Sequence, residues 1–412
     1  MLFFGIFIIS FIVPFLFKLK YGGRVTILEW LSCTAISIAL SFVVYTLGSY
    51  NALQDTELLN GYVTAKNVVE KKCKYPGWYE YSDSFCTNEH TREVVDHYED
   101  DYCTDKDGKS YVCGEHPVYR TEYRYDYPWE RKYFVHATVS EYTIARIDKQ
   151  GAKEPPRFTS VAVNDPVSVT HSYENLLLGA DASILNPAFI GVNEPDLAKV
   201  PAYPINVYDY YLVDRLVTIG VNVTPQERKA WNDGISQVAK SVGHRKQANP
   251  VVVLTNEPAD FRYAIERKWL GGKKNDVILL VGLKDNTIEW TDVITFIHGT
   301  NNEVMSEQLT RLVNEAGYDR EKILGIMQQT ILDKFDRLPM QSIEYIKDSF
   351  EPPLWVSIAS LICSLILSII ASLIATHNAI QENNNESPNH RYRTSNHLYR
   401  RPSGNNRSRR LW

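Results

Sequence analysis

VVVLTNEPADFRYAIERKWLGGKKNDVILLV, residues 251–281, decides the fold of this 412-residue chain. Val251 to Leu254 and Val277 to Val281 are apolar runs without alternation, the mark of strands covered on both faces. Between them Glu257-Pro258 opens a helix, Phe261, Ala264, Ile265 and Trp269 mark its buried face, and Gly271-Gly272 stops it. Strand, helix, strand in this order makes a parallel pair with a crossover. Upstream, Thr224-Pro225-Gln226-Glu227 is a capping box with Pro at the first helical position, so a helix starts there. Trp231, Ile235, Val238 and Val242 mark its apolar face, and it is expected to end near Gly243. Downstream, Asp285-Asn286 turns the second strand into a third over 287–298, and two helices follow, split by Gly317 and stopped near Pro339. The pattern predicts a three-layer α/β domain over residues 203–350.

The same order of elements resembles the TPM domain of membrane-anchored bacterial and plastid proteins, over roughly residues 205–346. The residues that carry the resemblance are Asp214 ahead of the capped helix, Tyr263-Ala264 and Trp269 before Gly271-Gly272-Lys273-Lys274-Asn275-Asp276, the run to Val281, and Gly299 with Glu303. Asp276 stands where the family places a glycine, and Asn301 replaces its second glycine after the hairpin. The resemblance implies an accessory role in assembly or repair of membrane complexes. It also implies that Asp214, Asp276 and Glu303 gather at strand ends, where three carboxylates hold Ca2+ or Mg2+. Phosphatase activity dependent on that metal is the alternative function. Read from the sequence alone, the same three side chains fit exposed caps and turns better than a metal site.

Ahead of this domain, residues 55–200 have the grammar of strands. Tyr119, Tyr123, Tyr125 and Tyr127 alternate with Arg120, Glu122, Arg124 and Asp126, and Tyr133, Val135, Ala137 and Val139 repeat the period. Tyr142 and Ile144 resume it after a bulge expected at Ser140-Glu141. The tyrosine stripe is expected to be the packing face of a sheet, with stacking on sugars or bases as the rival use. Four cysteines lie here, Cys73, Cys86, Cys103 and Cys113, and four permit three pairings. The turn centred on Gly108 sets Cys103 opposite Cys113, which leaves Cys73 with Cys86. Zinc is the competing use, because Cys86-x3-His90 and Cys113-x2-His116 have ligand-like spacing. A Pro-spaced linker from Asn186-Pro187 to Tyr203-Pro204 closes the region.

The ends belong to a different solvent. Residues 1–17 contain no charge, 26–48 carry only Glu29, and 354–375 are 22 uncharged residues. At about 1.5 Å per residue, the second and third cover a hydrocarbon core of about 30 Å, and the first nearly does. Lys18, Lys20 and Arg24 flank the first two, and the tail 377–412 carries Arg391, Arg393, Arg400, Arg401, Arg407, Arg409 and Arg410. Basic flanks stay in the cytoplasm, so residues 51–351 are expected outside it, in a bacterial-type inner membrane, where cysteines oxidise. The tail reads as a disordered segment against anionic lipid.

The formal net charge is −5, with net positive charge at the two ends and an acidic centre, which excludes a uniformly basic nucleic-acid binder. There is no Gly-x-Ser-x-Gly elbow and no His-Glu-x-x-His helix. Gly271-Gly272-Lys273-Lys274 follows a helix instead of leading into one, so it reads as a helix stop and not a phosphate loop. The expected protein is an α+β membrane protein with three transmembrane helices, a disulfide-stapled β-rich domain and a TPM-like α/β domain. It is expected to be a non-catalytic interaction or assembly module whose partners are the bilayer and membrane or envelope proteins.

Overall fold

The computed structural model describes residues 2–21, 25–87, 89–144, 153–179, 190–208, 212–296, 300–337, 339–350 and 352–391. In chain order the elements are helices α1 (Leu2–Tyr21) and α2 (Ile27–Ala52), strands β1 (Gln54–Lys72), β2 (Glu89–Thr104), β3 (Ser110–Tyr125), β4 (Trp129–Ala137) and β5 (Glu141–Ile144), helix α3 (Pro156–Ser160), and strand β6 (Pro166–Glu174). Helix α4 (Glu194–Lys199), strands β7 (Val207–Tyr208), β8 (Leu212–Val213) and β9 (Leu216–Ile219), helix α5 (Pro225–Lys246), β10 (Asn249–Thr255) and α6 (Arg262–Lys268) follow. The chain continues through β11 (Asp276–Lys284), β12 (Thr287–Thr295), α7 (Thr300–Ala316) and α8 (Arg320–Lys334) to α9 (Leu354–Arg391). It is a mixed α/β protein with two disulfides, divided into two compact units. One comprises Met1–Gln54, Glu174–Ser183 and Ile343–Trp412, the other Asp55–Tyr173 and Ile184–Ser342.

In the first unit α1, α2 and α9 are each long and apolar enough to cross a membrane. All three run past the stretches 1–17, 26–48 and 354–375. Helix α9 places Ser357, Ser360, Ser364, Ser368, Ser372 and Thr376 on its buried side, about one per turn, while Ile362, Ile366 and Ile370 face out. Such small side chains let helices approach closely. Gly5 of α1 lies against Leu361, and the Ser10 and Ser364 hydroxyls bond across the same contact at 2.9 Å. The one acid of α2, Glu29, completes a capping box, its carboxylate accepting the Thr26 N–H at 2.6 Å. Arg24 and residues 392–412, which carry the remaining basic flank, lie outside the described residues.

The second unit holds two four-stranded sheets. The strand order of one is β12-β11-β10-β9, with β9, β10 and β11 parallel and β12 antiparallel. Every residue of β10 is buried, as its unbroken apolar run requires. Val252, Leu254, Leu279 and Val281 pack with Trp231, Ile235, Val238 and Val242 of α5, Met305, Leu309 and Val313 of α7, and Met327 and Ile331 of α8. Val251, Val253, Ile278 and Leu280 pack on the opposite face with Ala264 and Ile265 of α6 and with Trp269. Asp285 and Asn286, both at positive φ, make the two-residue turn of the β11–β12 hairpin. Helix α5 begins on the expected capping box but runs past Gly243 to Lys246, where Gln247 takes the left-handed cap. Gly243 is there for proximity: a Cβ on it would stand 2.4 Å from Asn60 Cβ and 2.5 Å from the Asn60 carbonyl of β1.

The other sheet has the order β5-β4-β1-β6. No continuous strand with a bulge runs through Ser140-Glu141; instead a turn closed by the Ala137 N–H on the Ser140 carbonyl folds β5 back antiparallel on β4. Strands β2 and β3 form a separate two-stranded hairpin. Disulfides join Cys73 to Cys86 and Cys103 to Cys113, with Cα atoms 6.1 and 5.7 Å apart, the pairing that the turn at Gly108 implied. The two histidines of the zinc alternative pair with acids instead, His90 with Asp126 and His116 with Asp101. The tyrosine stripe divides. Tyr125 is buried with Cys73 and Cys86 at the hairpin base, whereas Tyr119 is exposed.

Candidate functional site

Strands β9, β10 and β11 start at one end of their sheet, and Arg215, Asn249 and Asp276 stand at or next to those starts. Arg215 is fully buried, and a buried cation needs partners. Its Nη2 donates to Asn60 Oδ1 of β1 and to Ser168 Oγ of β6, both at 2.6 Å, and its Nε donates to Asn249 Oδ1 at 3.3 Å. Asn60 also donates through Nδ2 to Asn249 Oδ1 and to the Ala248 carbonyl, both at 3.1 Å. The polar residues on β1 and β6 thus hold the first sheet to the strand ends of the second, within one unit. Burial pulls the Arg215 guanidinium down to about 10, so it remains a cation at neutral pH.

Asp276 is buried and both its oxygens are engaged. Oδ1 accepts from Asn249 Nδ2 and from the Tyr203 hydroxyl, each at 2.9 Å, and Oδ2 accepts the Lys273 N–H at 2.6 Å. Burial, only partly offset by these donors, pushes its carboxyl up to about 6. Burial and the adjacent Asp276 hold the Tyr203 phenol well above its ordinary value. Gly271 and Gly272, at φ 76° and 85°, terminate α6 and turn the chain so that Lys273 and Lys274 face β1. Lys273 pairs with Asp55, which also accepts the Tyr173 hydroxyl at 3.0 Å. Lys274 pairs with the fully buried Glu57 at 3.3 Å, together with Arg337 and His171. Burial lowers the Lys274 ammonium. Asn275, also buried, donates to the Leu58 and Gln247 carbonyls.

The three carboxylates expected to gather are placed differently. Asp214 is exposed just before β9, held by Asn232 at 2.6 Å and by Arg228 at 3.5 Å. It lines a cavity of about 320 Å³ with Tyr203, Asn206, Thr218 and Arg228, so Tyr203 is the residue that joins its surroundings to Asp276. Glu303 is exposed in the first turn of α7, where a negative charge suits the helix dipole. Asp276 and Asp214 sit at the amino ends of parallel strands, opposite the carboxyl ends where such sheets bind ligands. Among the described residues no three His, Cys, Asp or Glu side chains are grouped to hold a metal ion. With its oxygens taken by three donors, Asp276 does not fit a Ca2+ or Mg2+ ligand. Lys273-Lys274 is a helix stop, as its position after α6 implied, but its side chains also lock the two sheets together.

Asn60, Ser168, Tyr203, Arg215 and Asn249 escaped the sequence reading. Asn60 and Asn249 are 189 positions apart and no periodicity links them. The one available signal was an arginine flanked by residues of a buried strand, Val213-Asp214-Arg215-Leu216-Val217, where a charge would otherwise be excluded. Comparison of the chain with protein-family models, with curated proteins and with solved structures returned no match to any of the three.

Proposed function

We propose that this chain is an integral membrane protein that presents its second unit, residues 55–342 without the segment 174–183, as an interaction and assembly module to membrane or envelope partners. In this reading α1, α2 and α9 span a bacterial-type inner membrane, the basic flanks around Lys18 and in the tail stay in the cytoplasm against anionic lipid, and residues 51–351 lie outside. The α/β part, with helices on both faces of a four-stranded sheet, serves as a TPM-like core. The observation that carries the reading is the pairing of three membrane-length apolar helices with a unit stapled by two disulfides, a combination suited to an oxidising compartment beside a membrane.

The test uses the full chain in intact cells. After treatment with an impermeant reductant, an impermeant maleimide is expected to label Cys103 and Cys113, and a reporter fluorescent only in the cytoplasm is expected to shine when fused after Trp412. Labelling that requires lysis, with a dark reporter, would invert the orientation. Release of the chain by alkaline carbonate would remove the membrane reading itself.

A further inference from the structure

The β2–β3 hairpin is built unlike the rest of its unit. Each strand has 16 residues, about 50 Å at about 3.4 Å per residue, and the two form a sheet of their own. Isolated hairpins are marginal in water. This one is stapled by Cys103–Cys113 towards its turn and anchored at its base by buried Tyr125, whose hydroxyl donates to Glu89 at 2.7 Å. The register assigns every side chain to a face, because residues directly opposite share one. Val95 faces Tyr119, Tyr98 faces Pro117, Asp100 faces Glu115 and Tyr102 faces Val112, and the two irregularities in register, after Val95 and after Asp101, keep these pairs on one side. The other side carries Arg92 with Glu122, His97 with Glu99, and His116 with Asp101.

The two faces differ in how their groups are satisfied. The second face pairs its charges internally: Arg92 with Glu122 at 2.8 Å, His97 with Glu99 at 3.2 Å and His116 with Asp101 at 2.7 Å. On the first face Val95, Tyr98, Tyr102, Val112 and Tyr119 are 42, 61, 69, 50 and 57% exposed. Glu93, Asp100 and Glu115, interleaved with them, are exposed and make no ion pair among the described residues, and no lysine or arginine shares their face. Residues 89–125 contain ten carboxylates against five lysines and arginines, so the arm as a whole is acidic.

We propose that this tyrosine-bearing face is the docking surface for a basic protein, one that lays an apolar strip flanked by lysine or arginine along Tyr98, Tyr102 and Tyr119. Tyrosine gives large, rigid contact area at low entropic cost and is enriched at binding hot spots. The unpaired Glu93, Asp100 and Glu115 supply the complementary charge and steer the approach. The same charge argues against two other occupants: a second copy of the chain brings an equally acidic face, and an anionic lipid surface repels it. The proposal rests on the reading of the chain as an interaction module and names the partner's chemistry. Its test reports on the hairpin whichever side of a membrane the unit occupies.

The experiment uses the full chain in nanodiscs of zwitterionic lipid and a fluorescent 12-residue peptide of alternating leucine and lysine, with oligolysine of equal charge as the control. Saturable binding at least tenfold tighter than oligolysine is expected. Substituting Tyr98, Tyr102 and Tyr119 together by Ser should weaken it at least tenfold, and substituting them by Phe should retain it. Glu93→Gln with Asp100→Asn and Glu115→Gln should weaken it and flatten its salt dependence. Tyr111→Ser, on the other face, should leave it within twofold. Binding indifferent to the tyrosines, or equal for oligolysine, overturns the proposal. So does self-association of the chain through the same tyrosines, or binding of the hairpin to phosphatidylglycerol vesicles.

Discussion

Asp276 shows how one side chain takes its character from its surroundings. Its carboxyl, lifted from about 3.8 to about 6 by burial, holds a proton in the folded state over a range where the unfolded chain has released it. The group therefore favours folding below that window, and its contribution is lost as pH rises through it, by about 2 kcal/mol between pH 4 and pH 7. Asp276→Asn has no such proton to lose. The stability gap between wild type and this variant, from urea midpoints, should narrow by a large part of that amount as pH goes from 4 to 7. A gap that stays constant would mean the carboxylate is ionised throughout. Within the site, Asp276 and the Lys273-Lys274 pair were visible in the sequence, but their partners were not, because Asp55, Glu57 and Tyr203 are neighbours only after the sheets meet.

Among the elements, the hairpin carries the sharpest expectation. A disulfide restricts the unfolded chain, by about 3 kcal/mol for a loop of some 15 residues, and the 10-residue separation between Cys103 and Cys113 is shorter. Because β2 and β3 pair with each other and their outer halves bury little, replacing Cys103 and Cys113 together by Ser should loosen the hairpin locally. Hydrogen exchange of amides in 97–116 should quicken while those of β10 and β11 keep their protection. Equal acceleration throughout would show that the arm supports the unit's core. Helix α5 makes the complementary point. Its capping box was legible because the bonds run between residues three apart, but its end was not. Gly243 resembles a helix stop until β1 is seen lying against it.

At the scale of the whole chain, the three apolar helices and the second unit obey different rules of burial. Within the second unit, the bonds from Arg215 to Asn60, Ser168 and Asn249 tie β1 and β6 to the α/β sheet. Asn60→Ala removes an acceptor from a buried guanidinium, a loss of about 1–3 kcal/mol. If the seam makes the two sheets cooperative, amides in β10 should lose as much protection in this variant as amides in β1 and β4, and the unit should melt in one transition. Loss confined to β1, β4 and β6 would show that the sheets open independently.

The sequence by itself determined the elements whose causes are local: the apolar helices, the buried parallel strands, the capping box of α5, the Asp285-Asn286 turn and the cysteine pairing across a turn. Each depends on residues a few positions apart or on the composition of one segment. Only the tertiary structure decided what lies between elements. It folded β5 back on β4, exposed the outer tyrosines of the hairpin while burying Tyr125, and enclosed Arg215 with Asn60, Ser168 and Asn249. It also separated Asp214 and Glu303 from Asp276, whose oxygens it gave to Tyr203, Asn249 and Lys273. The physical reason is that a polar side chain advertises its chemistry in the sequence but not its partner. When the group is buried, desolvation makes that partner decide its charge and its use.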